Sequence, residues 1–257
     1  EVFLLAEATI NEGETIHVGK VNIEKVSSLN VGKTYDGALV IKGTLISSDG
    51  VYSEGGPSDF VLYDGAQLRQ AKGYDGIQGR FIMNIENPTE WSVWNKTGWQ
   101  FISSPFTNAY ISDFTGVNDE YDLYKFDGDH ENLKVEWRNH KALKDDPEDP
   151  FEETFVSGRG YMASYKTKET ATLNGYFNPA SSWDYNGITY QEIQEGETHW
   201  PNFHLVGNPF SFDMDLSNLK TSSLATGIAY VNEVGGFDYM TTGTVKVGDG
   251  FFVRTVG

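Results

Sequence analysis

Eight Asx–Gly pairs punctuate the chain, at Asp36-Gly37, Asp49-Gly50, Asp64-Gly65, Asp75-Gly76, Asp127-Gly128, Asn174-Gly175, Asn186-Gly187 and Asp249-Gly250. Such pairs tolerate the positive φ of tight hairpin turns, so each is a strong local turn signal. Between them the sequence alternates with period two. Thr15, His17 and Gly19 lie opposite Ile16, Val18 and Lys20, and Thr189, Gln191 and Ile193 opposite Ile188, Tyr190 and Glu192. That period sends successive side chains to opposite faces of a strand. No amphipathic helical period of twelve or more residues occurs, and Asp215 to Leu224 is the best candidate for a short helix. The 16 Phe, 14 Tyr and 28 Gly suit strands and tight turns. The expected class is all-β.

An internal repeat narrows the architecture. Trp99-Gln100-Phe101-Ile102-Ser103-Ser104-Pro105-Phe106 matches Phe203-His204-Leu205-Val206-Gly207-Asn208-Pro209-Phe210. Downstream, Leu123-Tyr124 matches Ala229-Tyr230, the tyrosines lying 25 and 27 residues from the first aromatic. Each unit closes on Gly-x-Gly-aromatic, at Gly158-Arg159-Gly160-Tyr161 and Gly248-Asp249-Gly250-Phe251. Three matched blocks in one order predict two β-units, about residues 98–165 and 202–254, within a duplicated antiparallel β-sandwich spanning 89–257. Each unit has too few strands to stand alone, so a shared core is expected. Pro105 and Pro209 are expected at equivalent positions just past a buried strand, because proline cannot donate to a ladder. Residues 1–88 form a strand-rich N-terminal part, with turn pairs at 36, 49, 64 and 75. Those spacings of 13, 15 and 11 suit either a meander or a small parallel β-coil. The run Asp145-Asp146-Pro147-Glu148-Asp149-Pro150 reads as an exposed loop.

The repeat blocks resemble β-sandwich modules of large secreted or surface proteins from Bacteroidetes-type bacteria, adhesin-like and associated with type IX secretion. In those modules a GW-x-L-[VI]-[GA]-[NS]-P strand and a G-x-[GA]-F-[FW]-V strand recur. Asp64-Gly65-Ala66-Gln67-Leu68 resembles the [DE]-G-[AG]-Q-L strand that often precedes them. The resemblance covers about residues 60–257. It implies a secreted or cell-surface location and an adhesin-like or accessory role, and it carries over no catalytic residue.

Charge and composition exclude several classes. With 37 acidic and 19 basic side chains the net charge is −18, against the positive face that nucleic acid or anionic lipid requires. No apolar run approaches the ~20 residues of a membrane helix, so no membrane insertion is expected. The absence of Cys excludes thiol nucleophiles, disulfides and Cys-ligated zinc. The start has neither a basic n-region nor an initiating Met, so any signal peptide is expected to have been removed. There is no HExxH and no G-x-S-x-G, and His199 and His204 have opposite strand parity. The two Gly-x-Gly blocks precede strand-like residues, so they read as turns and not as phosphate loops.

Two candidate sites remain. Asp127, Asp129 and Glu131 place three carboxylates at alternate positions, as hard-cation loops do, and mark a Ca²⁺ candidate. Asn132 and Arg138 stand where an EF-hand requires Gly and Glu, so the pattern is not an EF-hand. Asp213 and Asp215 form a weaker candidate. Trp183 and Tyr185 share strand parity beside Asn186-Gly187 and are the candidate glycan platform, with Asp184 on the other face. Trp91, Trp94, Trp137 and Trp200 are further aromatics beside loop-like segments, whereas Trp99, embedded in the repeat, is expected in the core. The expected function is a non-catalytic interaction module of a larger secreted or cell-surface protein. It would bind a glycan or a host or cell-surface protein and require no cofactor beyond possible Ca²⁺. A polysaccharide-active enzyme and a purely structural spacer are the alternatives.

Overall fold

The structure, a computed structural model, describes residues 2–24, 27–28, 33–34, 37–53, 55–70, 76–85, 98–115, 120–128, 136–167, 170–185, 187–190, 192, 202–219, 224–231 and 237–257. It is built from many short strands and a few single-turn helices, in keeping with an all-β class.

The N-terminal part contains β1 (Val2–Leu4), β2 (Glu7–Ile10), β3 (Thr15–Ile23), β4 (Ser27–Ser28), β5 (Lys33–Thr34), β6 (Ala38–Ile41) and β7 (Thr44–Ser53). It continues through β8 (Phe60–Tyr63), β9 (Gln67–Gln70) and β10 (Gln78–Asn84). It is a parallel coil. β2, β6, β8 and β10 stack in parallel to form one sheet, and β1, β3, β7 and β9 form a second. Identical register from rung to rung aligns like with like: Ile10, Ile41, Leu62 and Phe81 form one buried column, and Leu45 pairs with Leu68 in the other sheet. The alternation in the sequence thus feeds one apolar interior between two sheets.

Two of the turn pairs lie inside strands. Asp49-Gly50 falls in β7, where the register slips between Val18 and Lys20 and Gly50 takes φ 93°. The bulge is held by Ser47, whose hydroxyl bonds Gly19 O and Gly50 O. Asn174-Gly175 falls in β15 (Thr170–Tyr176), where Gly175 packs against Phe106 so closely that a Cβ would sit 3.0 Å from that ring's Cβ. Asp64-Gly65 does turn the chain, with φ 78° at Gly65.

β15 runs antiparallel to β10 and completes the coil's first sheet. At the same end of the second sheet, Leu68 N donates to Ser211 O and Ser211 Oγ donates to Leu68 O. Residues 208–213 therefore cover the outer edge of β9. Residues 86–97, which contain the expected boundary near 89, lie outside the described residues.

Two four-stranded antiparallel sheets make up the rest. One contains β11 (Gln100–Ile102), β12 (Tyr121–Phe126), β13 (Trp137–Asn139) and β14 (Tyr161–Tyr165), in the order β11-β14-β12-β13. The helices α1 (Ile111–Thr115) and α2 (His140–Leu143) lie between its strands in sequence. The other contains β16 (Phe203–Gly207), β18 (Ile228–Val231), β19 (Phe237–Met240) and β21 (Gly250–Arg254), in the order β16-β21-β18-β19. The small ladder β17 (Met214–Asp215) with β20 (Thr244–Val245) flanks it. The strand order is the same in both sheets, first–last–second–third. So is the register: Ile102 pairs with Tyr161 as Val206 pairs with Phe251, and Phe101 with Met162 as Leu205 with Phe252.

The middle block differs by one residue from the sequence match. Tyr124 pairs with Met162 and Ala229 with Phe252, so Ala229, not Tyr230, stands where Tyr124 does. A one-residue slip exchanges the faces of a strand, and only this register keeps Tyr124 and Ala229 in the same apolar layer.

The sheets meet through reciprocal contacts. Ser103 N donates to Gly248 O, and Gly207 N, its counterpart, donates to Gly158 O. Ile102 bridges Asp249, and Val206 bridges Arg159. One core lies between the sheets, from Trp99, Phe101, Met162, Leu205, Ala229 and Phe252. Alternate residues Ile102, Tyr161 and Leu123 face the coil's core, while Val206, Phe251 and Ile228 face a third cluster. Trp99 is buried, as expected. Pro105 and Pro209 are both buried just past their strands, and each follows a residue that caps the next turn. Ser104 Oγ accepts from Phe106 N, and Asn208 Oδ1 from Phe210 N. Among the described residues of the short-helix candidate, Leu216–Asn218 form a 3₁₀ turn, capped by Asp215; residues 220–223 lie outside the described residues. Residues 145–150 are exposed or half-exposed.

Candidate functional site

Edge strand β16 borders a cleft of about 550 Å³. Three other segments border it: residues 125–128 at the end of β12, the 156–159 turn with Glu152, and residues 183–185 with 187–188. The cleft brings Trp183, Tyr185 and Asp127 together in one lining, although the sequence assigned them to two separate sites. Asp129 and Glu131, the rest of the cation pattern, lie outside the described residues, as do Trp91, Trp94 and Trp200. Among the described residues no three His, Asp or Glu side chains are grouped as a metal site requires.

The 156–159 wall is fixed from below. Tyr161 accepts Val156 N on its buried hydroxyl, and burial raises its pKa well above the usual phenol range. Gly158 adopts φ 76°, and the Trp183 indole packs where its side chain would be, with Nε1 2.3 Å from an added Cβ. Trp183 is half-buried against the cluster that holds Phe210, Met214 and Val253. Tyr185 is half-buried in the same cluster, and its hydroxyl donates to Gly207 O at 3.0 Å. Burial raises that phenol as well. Residues 183 and 185 lie in irregular chain and not in a strand. The Tyr185 ring is thus a tethered wall, while Trp183 lies at the boundary with a second recess of about 400 Å³ bordered by Met214, Leu219 and Leu224. Trp137 packs inward against Phe126 and Phe252.

The polar side of the cleft is an ion-pair network that the sequence did not mark. Glu152 pairs with Lys125 at 3.4 Å and with Arg159. Lys125 also lies 4.0 Å from Asp149, which pairs with Arg138, and over the Phe151 ring. Glu152 Oε2 is buried without a hydrogen-bond partner among the described residues. His204 Nε2 donates to Thr189 O across the cleft's rim. These partners are 7 to 27 residues apart in sequence, with no motif joining them, so only the fold reveals them.

The weaker cation candidates are engaged elsewhere. Asp213 accepts Gln67 Nε2 and Val247 N, tying the second unit to the coil, and Asp215 caps a 3₁₀ turn through Ser217 N. Near Asp213 stands Asp249, part of whose surface stays open to solvent. Desolvation of its carboxyl, with the charges of Asp64 and Asp213, pushes its pKa up to about 7 against the pull of Lys246. Asp249 is not in the lining of the cleft. No helix among the described residues is long and apolar enough to cross a membrane. Comparison of the chain with protein-family models, curated proteins and solved structures finds no match.

Proposed function

We propose that the chain is a non-catalytic interaction module of a larger secreted or cell-surface protein, built as a β-coil on a duplicated β-sandwich, and that its cleft binds a glycan. The observation that carries the reading is the mixed lining. A half-exposed indole stands beside fixed carboxylate, ammonium and guanidinium groups. A pyranose has an apolar C–H face and a rim of hydroxyls that both donate and accept. An aromatic wall takes the first and paired charges take the second. Because Lys125, Glu152 and Arg159 already hold one another, little side-chain entropy remains to be lost on binding. The carboxyl raised to about 7 lies outside the cleft, which supports binding over acid–base chemistry there. The duplication is supported by the shared strand order, shared register and reciprocal turn contacts.

The test is a glycan array probed with the intact chain, followed by titration of the retained glycans against Trp183→Ala. Fully buried aromatic truncations cost about 3–5 kcal/mol, so a half-buried ring should cost about 2 kcal/mol while binding is lost. A Trp183→Ala protein that binds the same glycans with unchanged affinity would refute the reading, as would a chain that retains none.

A further inference from the structure

The coil has two unlike ends. At one, β15 pairs with β10 and Ser211 covers Leu68 of β9. At the other, among the described residues, β2 is the outermost strand of its sheet, and β1 pairs with β3 only from Val2 opposite Val21 to Leu4 opposite Ile23. β3 pairs along its full length with β7, from Thr15 opposite Thr44 to Ile23 opposite Ser53. Residues 15–20 of β3 therefore lie beyond the reach of β1. In a parallel ladder alternate residues bond to opposite sides. Lys42 N bonds Ile10 O, and Thr44 N bonds Glu14 O. By alternation, the backbone groups of Glu7 and Thr9 in β2, and of Thr15 and His17 in β3, point out of the coil. Apolar side chains gather at the same end: Val2, Phe3, Leu5 and Ile16 are all exposed.

We propose that this end is a docking surface for one further turn of parallel β-coil: a strand–turn–strand with alternate apolar residues, running parallel to β2 and β3. The occupant is argued from continuity with the interface that already holds the coil together. The column Phe81, Leu62, Ile41 and Ile10 ends at β2 on a backbone that presents donors and acceptors in the spacing of the next rung. A charge pattern agrees. Successive turns place Glu12 and Glu14, then Lys42, then Asp64 around one recess, so the next turn outward would favour a basic residue. Exposed strand edges are what proteins ordinarily blunt with charge, proline or a bulge; the bulge of β3 lies only at Val18–Lys20, and the outward backbone positions Thr9 and Thr15 carry neither proline nor charge. The inference does not rest on the glycan reading.

The test extends the full chain with its own rung. A copy of residues 38–50 is placed directly before Val2 in place of Glu1, so that the copied Thr44 falls opposite Thr15. Amide hydrogen exchange at Glu7, Thr9, Thr15 and His17 should slow at least tenfold relative to an extension of identical composition in scrambled order, with a higher melting temperature. Thr9→Pro in the extended chain removes an outward N–H and should cancel the slowing at Glu7. Equal exchange in the ordered and scrambled extensions overturns the proposal. So does a dimer of the unextended chain by sedimentation with these four amides protected, because the occupant is then a second copy.

Discussion

Gly158 and Gly248 open the same Gly-x-Gly turn in the two units, and substituting each by Ala should give unequal results. Both have positive φ, 76° and 85°. Holding an L-residue there costs about 1–2 kcal/mol at either site. The second contribution depends on what the new methyl meets. At Gly248 a Cβ would lie 2.6 Å from Phe81 Cε1 and 3.1 Å from Met83 Cε. Phe81 is fully buried in the coil's apolar column and has nowhere to go. Overpacking of that kind adds about 1–3 kcal/mol, for a total of about 2–5 kcal/mol. At Gly158 the neighbour is Trp183 Nε1, and that half-buried ring borders open space on the cleft side. Gly158→Ala should therefore cost only the backbone contribution, about 1–2 kcal/mol, and displace the indole instead. Equilibrium urea unfolding reads the stabilities. The indole is read as a fluorescence change that Gly158→Ala produces in the native sequence but not in a Trp183→Phe background. Glycan affinity should fall in Gly158→Ala and hold in Gly248→Ala. Equal costs at the two sites, or a Gly158→Ala spectrum unchanged from the parent, would refute the packing argument.

Asn208 is fully buried, donates to Phe212 O, Val245 O and Lys246 O and accepts Phe210 N, whereas its counterpart Ser104 makes one such turn bond. Asn208→Ala should cost about 3–5 kcal/mol and Ser104→Ala about 1 kcal/mol in the same urea assay. Asp249 has a pKa near 7 in the folded chain against about 3.9 unfolded, so the proton favours the fold. Its contribution is fully present below pH ~4 and is lost as pH rises through ~7. Asp249→Asn should raise the melting temperature at pH 8 and leave it unchanged at pH 4; an equal shift at both would remove Asp249 as the cause. If Asp127, Asp129 and Glu131 bind one Ca²⁺, millimolar CaCl₂ should raise the melting temperature more than NaCl at matched ionic strength. Equal shifts would leave screening as the whole effect.

Local features were legible where local chemistry decides them. The aromatic-x-apolar-apolar blocks read as the first strand of each unit because strand, turn cap and proline lie within eight residues. The match failed by one residue at Ala229, since the connecting segments differ in length and nothing nearby fixes register. Asx–Gly chemistry predicted a turn at Gly50 and at Gly175 where long-range ladders made a bulge and a close packing point instead. Period-two alternation fits a meander and a coil equally. What separates them is the parallel alignment of Ile10, Ile41 and Leu62, a contact across 20 to 30 residues. At the cleft, Trp183 and Tyr185 were visible as an aromatic pair, but Lys125, Glu152 and Arg159 become partners only once β12 and the 156–159 turn come together.

The site lies where the relation between the two sheets breaks down. β11 and β16 are both edge strands, and each ends against the opposite unit's Gly-x-Gly turn. Beside β11 the ground is taken: Gln100 Nε2 donates to Asn84 O, and Phe81 and Met83 fill the space above Gly248. Beside β16, among the described residues, no strand of the coil is packed. Trp183 packs above Gly158, and the strand's edge borders a cleft. The residue between the glycines differs in charge as well, acidic Asp249 in the unit beside the coil and basic Arg159 at the cleft. A packed edge needs apolar contact and polar docking bonds, as Asp213 makes to Gln67 of the coil. An open edge can hold its charges in a network facing solvent and a ligand, as Arg159 does through Glu152. Two edge strands with the same order and register thus serve as a structural joint and a candidate binding face, and the coil's position determines which is which.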